Sequence, residues 1–326
     1  MSDTGAKARP VHVAILDDYQ EVARHYADWS SLPSGSDVQF FSDHLSSEDA
    51  LVRRLASFEA IVAMRERTPF PRSLLTRLPN LRLLVTTGAR NAAIDVAAAR
   101  ELGISVAGTE GLPYPTAELT WALILALARQ VPAEDRALRT GAWQTSVGTG
   151  LHGKTLALLG LGRLGTQVAR IGRAFGMRVI AWSPHLTAAR AENGGAELVS
   201  RDELFRQADV LSIHLVLSES SRGLVGMTEL ALLKKNALLI NTSRGAIVDE
   251  GALVAALSSG TLAGAGLDVF EIEPLPANHP FLTLKNTVLT PHLGYVTAET
   301  YRIFYTQALE DIRGYLDGKP LRLIAL

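Results

Sequence analysis

Three ionisable side chains in the second half of the chain are of types that together can handle a carboxylate and a proton. They are Arg244, Glu273 and His292. Because open parallel sheets bind ligands at the carboxyl ends of their strands, we expect these side chains to converge at one sheet edge. Each follows an apolar run that predicts a buried strand, the runs being 237–241, 262–267 and 287–290.

Such a set favours transfer of a hydride to the carbonyl of a 2-oxo acid. A guanidinium can hold the substrate carboxylate and polarise the carbonyl through its planar fork of donors. An imidazole can donate a proton to the carbonyl oxygen, and a glutamate bonded to it would favour the protonated ring and fix its orientation. Each residue alone is more often a solvated loop residue, so this interpretation depends on their shared place in the sheet.

A glycine pattern that could bind the pyrophosphate of a dinucleotide follows the predicted strand 155–159 and opens an amphipathic helix. The first glycine permits a tight turn, the second lets the backbone approach the phosphates, and the third lets the helix pack on the strand. A plain glycine turn is the alternative. We predict that the dinucleotide site includes Gly160, Gly162, Arg163, Leu164 and Gly165.

The next strand of this series, 178–182, ends without the carboxylate that normally accepts the ribose hydroxyls of NAD. We therefore predict NAD(P) as the cofactor, with NADP slightly favoured because Ser183 replaces the usual acidic residue. Thr242, directly after strand 237–241, is assigned to the same site. Four polar side chains in the loop after this strand could admit the 2′-phosphate of NADP. The alternative is that they form a solvated loop; they are Ser183, His185, Thr187 and Arg190.

Short β-branched runs alternate with helical patterns along the whole chain, which is typical of parallel α/β sheets. One series of strands is predicted at 11–16, 38–41, 60–64, 83–86 and 105–107, and a second at 155–159, 178–182, 210–213, 237–241, 262–267 and 287–290. Helices are predicted at 47–56, with Ser47 as a candidate cap, and at 94–102, 117–130 and 298–316.

These elements predict an α/β protein with two doubly wound domains. Residues 113–293 would form a Rossmann domain that binds NAD(P), inserted in a flavodoxin-like substrate domain. The substrate domain would be discontinuous, comprising residues 1–112 plus 294–326, because the final apolar run 321–326 is expected to return to it.

The charge balance and the cysteine count exclude several kinds of site. Of 326 residues, 33 are acidic and 32 basic, so the formal net charge is −1 and nucleic acid is not an expected partner. The absence of cysteine removes disulfides, thiolate zinc sites and a thiol nucleophile, and no metal site is predicted. The polar start MSDTGAKARP and the lack of a long apolar run lead us to expect a cytoplasmic protein without a membrane segment.

The most distinctive stretch of the sequence reads NTSRGAIVDEGAL from Asn241, then GAGLDVFEIEPLP from Gly264 and TPHLG from Thr290. With it the chain resembles the D-2-hydroxyacid dehydrogenase family over nearly its full length. The resemblance implies reduction of 2-oxo acids to R hydroxy acids and homodimers formed through the nucleotide-binding domain. It implies these roles: Arg244 binds the substrate, His292 is the acid/base, Glu273 is its partner, and Asp268 contacts the nicotinamide end of the cofactor.

The same resemblance places His214 in a segment that lines the cofactor cleft and Arg65 at the mouth of the substrate cleft. A strand-end histidine and a surface arginine are the respective alternatives. Arg90 departs from the family pattern, because it stands where a glycine amide commonly meets the substrate carboxylate. Facing inward it could pair with a second polar group of the substrate, and facing outward it would be solvated. The substrate residues predicted in all are Arg65, Gly88, Ala89, Arg90 and Tyr295.

A function of a different class stays open at this point. Dinucleotide-sensing corepressors resemble the same family and keep the same catalytic residue types, so a binding protein with little turnover is the alternative hypothesis. A methyltransferase could use the glycine loop but would leave Arg244, Glu273 and His292 without a purpose. Turnover of small 2-oxo acids such as glyoxylate and hydroxypyruvate would distinguish an enzyme from a sensor.

Overall fold

Parallel strands joined by helices build two units in the computed structural model, which describes residues 9–325. One unit holds the chain up to Leu112 together with the segment from Thr297, and the other holds Pro113–Val296. The second segment of the first unit thus begins at Thr297 and not at the predicted residue 294. Residues 1–8 and 326, which belong to the predicted substrate domain and tail, lie outside the described residues.

Each unit contains one sheet, and every strand pair in both sheets is parallel. The strands are β1 (His12–Ile15), β2 (Asp37–Phe40), β3 (Ala60–Ala63), β4 (Leu83–Thr86), β5 (Ser105–Gly108), β6 (Thr155–Leu159), β7 (Arg178–Trp182), β8 (Glu197–Leu198), β9 (Val210–Ile213), β10 (Leu238–Asn241), β11 (Gly264–Leu267) and β12 (Thr287–Leu289). The orders are β2-β1-β3-β4-β5 and β12-β11-β10-β9-β6-β7-β8.

Helices connect these strands within each unit. They are α1 (Ala23–Tyr26), α2 (Glu48–Leu55), α3 (Arg72–Leu75), α4 (Val96–Glu101), α5 (Pro115–Ala128), α6 (Val131–Arg139), α7 (Arg163–Ala174), α8 (Ala188–Asn193), α9 (Arg201–Gln207), α10 (Met227–Leu232), α11 (Glu250–Ser259) and α12 (Ala298–Leu316). Single turns of 3-10 helix occupy Trp29–Ser31, Gly245–Ile247 and Pro280–Thr283. Within residues 9–325, none of the helices has the length and apolarity needed to cross a membrane.

The central strands are apolar on both faces because helices cover both sides of a parallel sheet. Every residue of β3, β4 and β6 is buried, as the continuous apolar runs of the sequence predict. The fold class predicted from the alternation of strands and helices is therefore confirmed.

The order in which strands are added to the seven-stranded sheet reverses at β6, and this reversal indicates where a ligand can bind. From β6 the chain moves outward through β7 and β8, and the later strands from β9 onward lie on the other side of β6. In such sheets a crevice opens outside the carboxyl ends of the strands that flank the switch point. The loops after β6 and β9 are thus the expected lining of a cofactor site.

Some predicted element details are wrong. Ser47 precedes α2 but makes no side-chain cap bond, whereas Asp95 caps α4 by accepting from the amide of Ala98 at 2.8 Å. Helix α6 was not predicted from the sequence; it buries none of its residues against a core. The tail meets β5 within the first unit through a single antiparallel bridge between Leu323 and Ala107.

Candidate active site

The turn after β6 requires glycine at two positions. Gly160 has a φ of +105°, and a Cβ added there would lie 2.7 Å from the carbonyl oxygen of His214. A Cβ on Gly165 would lie 2.3 Å from the carbonyl oxygen of Gly160, so this glycine lets the first turn of α7 pack on the loop. A Cβ on Gly162 would meet no atom within 4 Å, which leaves open space beside the start of α7.

The start of α7 offers backbone donors to an anion. Gly162 precedes the helix, and among residues 9–325 no side-chain cap bond forms at this end. Arg163 and Leu164 begin the helix, and the amide of Thr166 is the one that closes the first turn on the carbonyl oxygen of Gly162, at 2.9 Å. Uncapped amides and the positive end of the helix dipole fit a pyrophosphate, so these residues are suited to hold a dinucleotide.

His214 lies directly after β9 and packs beneath this turn. Its amide donates to the carbonyl oxygen of Leu159 at 2.8 Å, and its Nε2 lies 2.9 Å from Ser212 Oγ. Burial lowers the pKa of His214 to about 4, so the ring is neutral at pH 7. The contact with Gly160 gives His214 a packing role, and its assignment to the cofactor stays a prediction.

Thr242 and the loop after β7 make contacts of their own. Thr242 Oγ1 lies 2.8 Å from Thr120 Oγ1 on α5, which ties the end of β10 to that helix. Ser183 is half-buried, and the exposed Arg190 donates to the carbonyl oxygen of His185 at 3.3 Å. Thr187 caps α8 by accepting from the amide of Arg190, so its hydroxyl already has a structural use.

His292 and Glu273 form the central pair of the site. His292 Nδ1 lies 2.6 Å from Glu273 Oε2, and the amide of Phe270 donates to Glu273 Oε1 at 2.9 Å. Both carboxylate oxygens are thus engaged, which fixes the carboxylate plane against the ring. The Tyr295 ring packs edge-on against the His292 ring, with the ring centres 5.6 Å apart.

The charges around Glu273 keep it ionised. Burial raises its pKa, but the hydrogen bond with His292, the charge of that ring, the Phe270 amide and the charge of Arg244 together hold the pKa below its ordinary value. The influence of Arg244 on Glu273 indicates that the three predicted side chains share one electrostatic environment. The carboxylate is therefore available to stabilise a positively charged imidazole.

Asp268 holds the segment that carries His292. It is fully buried, and its carboxylate accepts from Thr290 Oγ1 at 2.6 Å and from the amides of Leu293 and Gly294 at 2.7 and 2.8 Å. Its carbonyl oxygen accepts from the amide of His292, whose φ of 55° is unusual for a residue other than glycine. Asp268 thus stabilises a backbone conformation that the ring of His292 depends on.

The loop of Arg244 lies directly against the loop of Glu273. A Cβ on Gly245 would lie 2.0 Å from the carbonyl carbon of Phe270, so any side chain there would push the two loops apart. Arg244 is half-buried and donates to the carbonyl oxygen of Ser243 at 2.7 Å. Gly245 was not among the residues predicted from the sequence, although it directly follows Arg244.

In the first unit, the predicted substrate loop follows β4. Gly88 has a φ of +89°, and the guanidinium of Arg65 lies where a Cβ of Gly88 would stand. Arg65 also donates to the carbonyl oxygen of Thr87 at 3.2 Å, so it braces the loop from one side. Ala89 and Arg90 are exposed. The structure thus brings Arg65 and Gly88 together and leaves Ala89 and Arg90 at the surface of this unit.

Comparison with known families decides the identity of this arrangement. A sequence profile described as "D-isomer specific 2-hydroxyacid dehydrogenase, NAD binding domain" matches residues 121–294. The chain belongs to the D-2-hydroxyacid dehydrogenase family. As a D-2-hydroxyacid dehydrogenase it is an oxidoreductase, and the matched segment contains the glycine turn, Arg244, Glu273 and His292.

Two named relatives and one solved structure are similar to this D-2-hydroxyacid dehydrogenase. A glyoxylate reductase of Aeropyrum pernix is 46% identical over 76% of this chain and 76% of its own length. A D-3-phosphoglycerate dehydrogenase of Methanocaldococcus jannaschii is 37% identical over 84% of this chain, which spans 52% of that protein. The crystal structure of a phosphoglycerate oxidoreductase from Vibrio cholerae O395 is 39% identical, with a TM-score of 0.89 over 94% of this chain and 99% of that one.

Proposed function

We propose that this chain is an R-specific 2-oxo acid reductase that uses NAD(P)H and acts on small acids of the glyoxylate or hydroxypyruvate type. The observation that carries the proposal is the 2.6 Å contact between His292 Nδ1 and Glu273 Oε2. It leaves the second N–H of a protonated ring to donate to a substrate oxygen. The similarity to a glyoxylate reductase supports a small substrate, and the phosphoglycerate dehydrogenase relatives support a larger one of the same class.

The cofactor would be held by the glycine turn and the first amides of α7. Gly162 leaves room for its pyrophosphate, and Gly160 and Gly165 keep the turn and the helix in contact. When bound, the reduced nicotinamide supplies the hydride that the substrate carbonyl carbon receives.

The side chains of the site divide the remaining work. Arg244 binds the substrate carboxylate and polarises the carbonyl, and His292 gives its Nε2 proton to the carbonyl oxygen. Glu273 stabilises the imidazolium before that transfer and keeps the ring oriented. The substrate roles of Arg65, Gly88, Ala89, Arg90 and Tyr295 rest on the family resemblance and stay part of the proposal.

Turnover of a substrate panel tests this function. The purified protein is given glyoxylate, hydroxypyruvate, 3-phosphohydroxypyruvate and phenylpyruvate with NADH or NADPH, and the product is assigned on a chiral column. We expect at least one substrate to reach a kcat/KM of about 10⁴ M⁻¹ s⁻¹ or more, with R product. Tight binding of the dinucleotide without turnover of any of these acids would contradict the reductase and favour the sensor, for which the relatives reported above give no support.

For the cofactor, we expect NADPH to be accepted at least as well as NADH. The segment 183–190 contains no carboxylate to repel a 2′-phosphate, and Arg190 places a cation beside His185. Ser183→Asp should shift the ratio of kcat/KM values toward NADH by about tenfold, because a carboxylate accepts ribose hydroxyls and repels phosphate. Ser183→Asn is the control, because asparagine has the size of aspartate but carries no charge. A wild-type protein that strongly prefers NADH would mean that the ribose is recognised elsewhere.

We also propose a homodimer formed through α6 and the segment that follows it. Four large apolar side chains there are strongly exposed, with exposed fractions of 54%, 58%, 77% and 94% for Val131, Leu138, Trp143 and Val147. Exposed aromatic and aliphatic residues grouped in this way are typical of a protein interface. Trp143→Ser should therefore shift sedimentation from dimer toward monomer. Leu102→Ser, at an exposed leucine of the first unit, should not, and a monomeric wild type would overturn the proposal.

A further inference from the structure

The loop between β11 and the 3-10 turn at Pro280–Thr283 carries Glu273 but lies largely at the surface. Glu271, Ile272 and Pro274 are exposed, with Ile272 at 65%, whereas the Glu273 side chain is only 32% exposed. A loop of this kind is usually mobile unless other elements fix its backbone. The position of the Glu273 carboxylate within hydrogen-bond reach of His292 therefore depends on what holds the loop.

Glu250, the first residue of α11, reaches this loop. Its Oε1 accepts from the amide of Glu271 at 2.6 Å, two residues before Glu273. This bond and the one from the Phe270 amide to Glu273 Oε1 involve neighbouring amides of the same turn. A hydrogen bond to a charged acceptor is among the stronger contacts available to a loop amide.

His279, at the far end of the same loop, holds Glu250 in place. The amide of Phe281 donates to His279 Nδ1 at 3.3 Å. His279 Nε2 lies 3.3 Å from Glu250 Oε2. The His279 ring also packs on Phe281 with ring centres 4.7 Å apart, and Phe281 is almost fully buried in the core. The Glu250 carboxylate thus contacts both ends of the loop.

We propose that Glu250 and His279 are positioning residues for Glu273. Glu250 fixes the Glu271 amide, His279 fixes Glu250, and the turn so held presents the Glu273 carboxylate to His292. The order of contacts is His279, Glu250, Glu271 amide and Glu273. Neither side chain needs to touch substrate or cofactor for this role. The kinetic part of its test rests on the proposed reductase function, and the structural part does not.

Hydrogen exchange of the loop tests the proposal without substrate. In Glu250→Ala we expect the peptide that covers residues 270–276 to exchange about tenfold faster or more, because the Glu271 amide loses its acceptor. Asp249→Ala is the matched control. It removes the cap of the same helix, the 2.9 Å bond to the Ala252 amide, and leaves the loop contacts in place. Unchanged exchange of this peptide in Glu250→Ala, or an equal increase in Asp249→Ala, would overturn the proposal.

Kinetics show whether the effect passes through Glu273. Glu250→Ala should lower kcat about tenfold with KM for the 2-oxo acid little changed, because a misplaced carboxylate affects proton transfer more than binding. Glu250→Gln should recover most of kcat, because its amide oxygen can still accept from Glu271. In a Glu273→Gln background, Glu250→Ala should lower kcat by less than about twofold. An equal loss in both backgrounds would contradict positioning through Glu273. If the wild-type protein showed no turnover, the proposed function would be overturned. The hydrogen-exchange result would still decide whether Glu250 holds the loop.

Discussion

Replacing His292 with alanine is expected to lower kcat for 2-oxo acid reduction about 100- to 10,000-fold, which is the usual contribution of a positioned general acid. The imidazole is held by Glu273 at 2.6 Å and has one ring nitrogen left for the substrate oxygen. It takes no part in the glycine turn, where the dinucleotide would be bound. The Kd for NADH, measured by fluorescence titration, should therefore stay within about twofold of the wild-type value.

The control for this variant is His152→Ala. His152 is exposed and precedes β6, so it lies at the amino end of the sheet, whereas His292 follows the carboxyl end of β12. The control should keep both kcat and cofactor affinity. If His292→Ala lost cofactor affinity in proportion to kcat, the residue would be a part of the dinucleotide site and not the acid.

The sequence was sufficient to predict that residues far apart in the chain of the second unit lie at one edge of its sheet. Arg244, Glu273 and His292 follow β10, β11 and β12, which are neighbours in the sheet. Parallel strands place all their carboxyl ends on the same side, so strand prediction alone implies that the loops meet. The glycine turn after β6 was predictable for the same reason, because its spacing has a strand before it and a helix after it.

The sequence did not predict which distant segment each loop contacts. The requirement for glycine at position 245 comes from Phe270, and the requirement at position 160 comes from the backbone of His214. These are contacts between segments far apart in the chain, and no local spacing encodes them. The bond from the Glu271 amide to Glu250 is of the same kind.

Residue type alone did not identify which helix starts are capped. Ser47, before α2, has the residue type of a cap but makes no cap bond, whereas Asp95, before α4, makes one. Residue type gives a preference for capping, and the bond forms only where the preceding backbone directs the side chain to a free amide. The left-handed backbone of His292 is a comparable case, since it is held by Asp268 and is not favoured by histidine itself.

Replacing Glu273 with glutamine is expected to lower kcat for reduction about tenfold at neutral pH and to move the pH profile. The carboxylate stabilises the protonated ring of His292, and a neutral amide does not. Reduction consumes a proton, so its rate falls at high pH, and in Glu273→Gln we expect this fall at lower pH than in the wild type. Oxidation of the hydroxy acid requires the neutral ring, so its acidic limit should also move to lower pH.

The direction of both shifts identifies the titrating group. The pKa of Glu273 is held below its ordinary value of 4.5, so this carboxylate is ionised throughout the range in which a histidine titrates, and its own protonation does not set either limit. Glu271→Gln removes the same charge from the exposed side chain two residues away and should leave both profiles near wild type, because that side chain faces solvent. If Glu271→Gln moved both pH profiles as far as Glu273→Gln does, the total charge of the loop, and not the contact with His292, would determine the pH dependence. If neither pH profile moved in Glu273→Gln, Glu273 would have no role in the proton transfer.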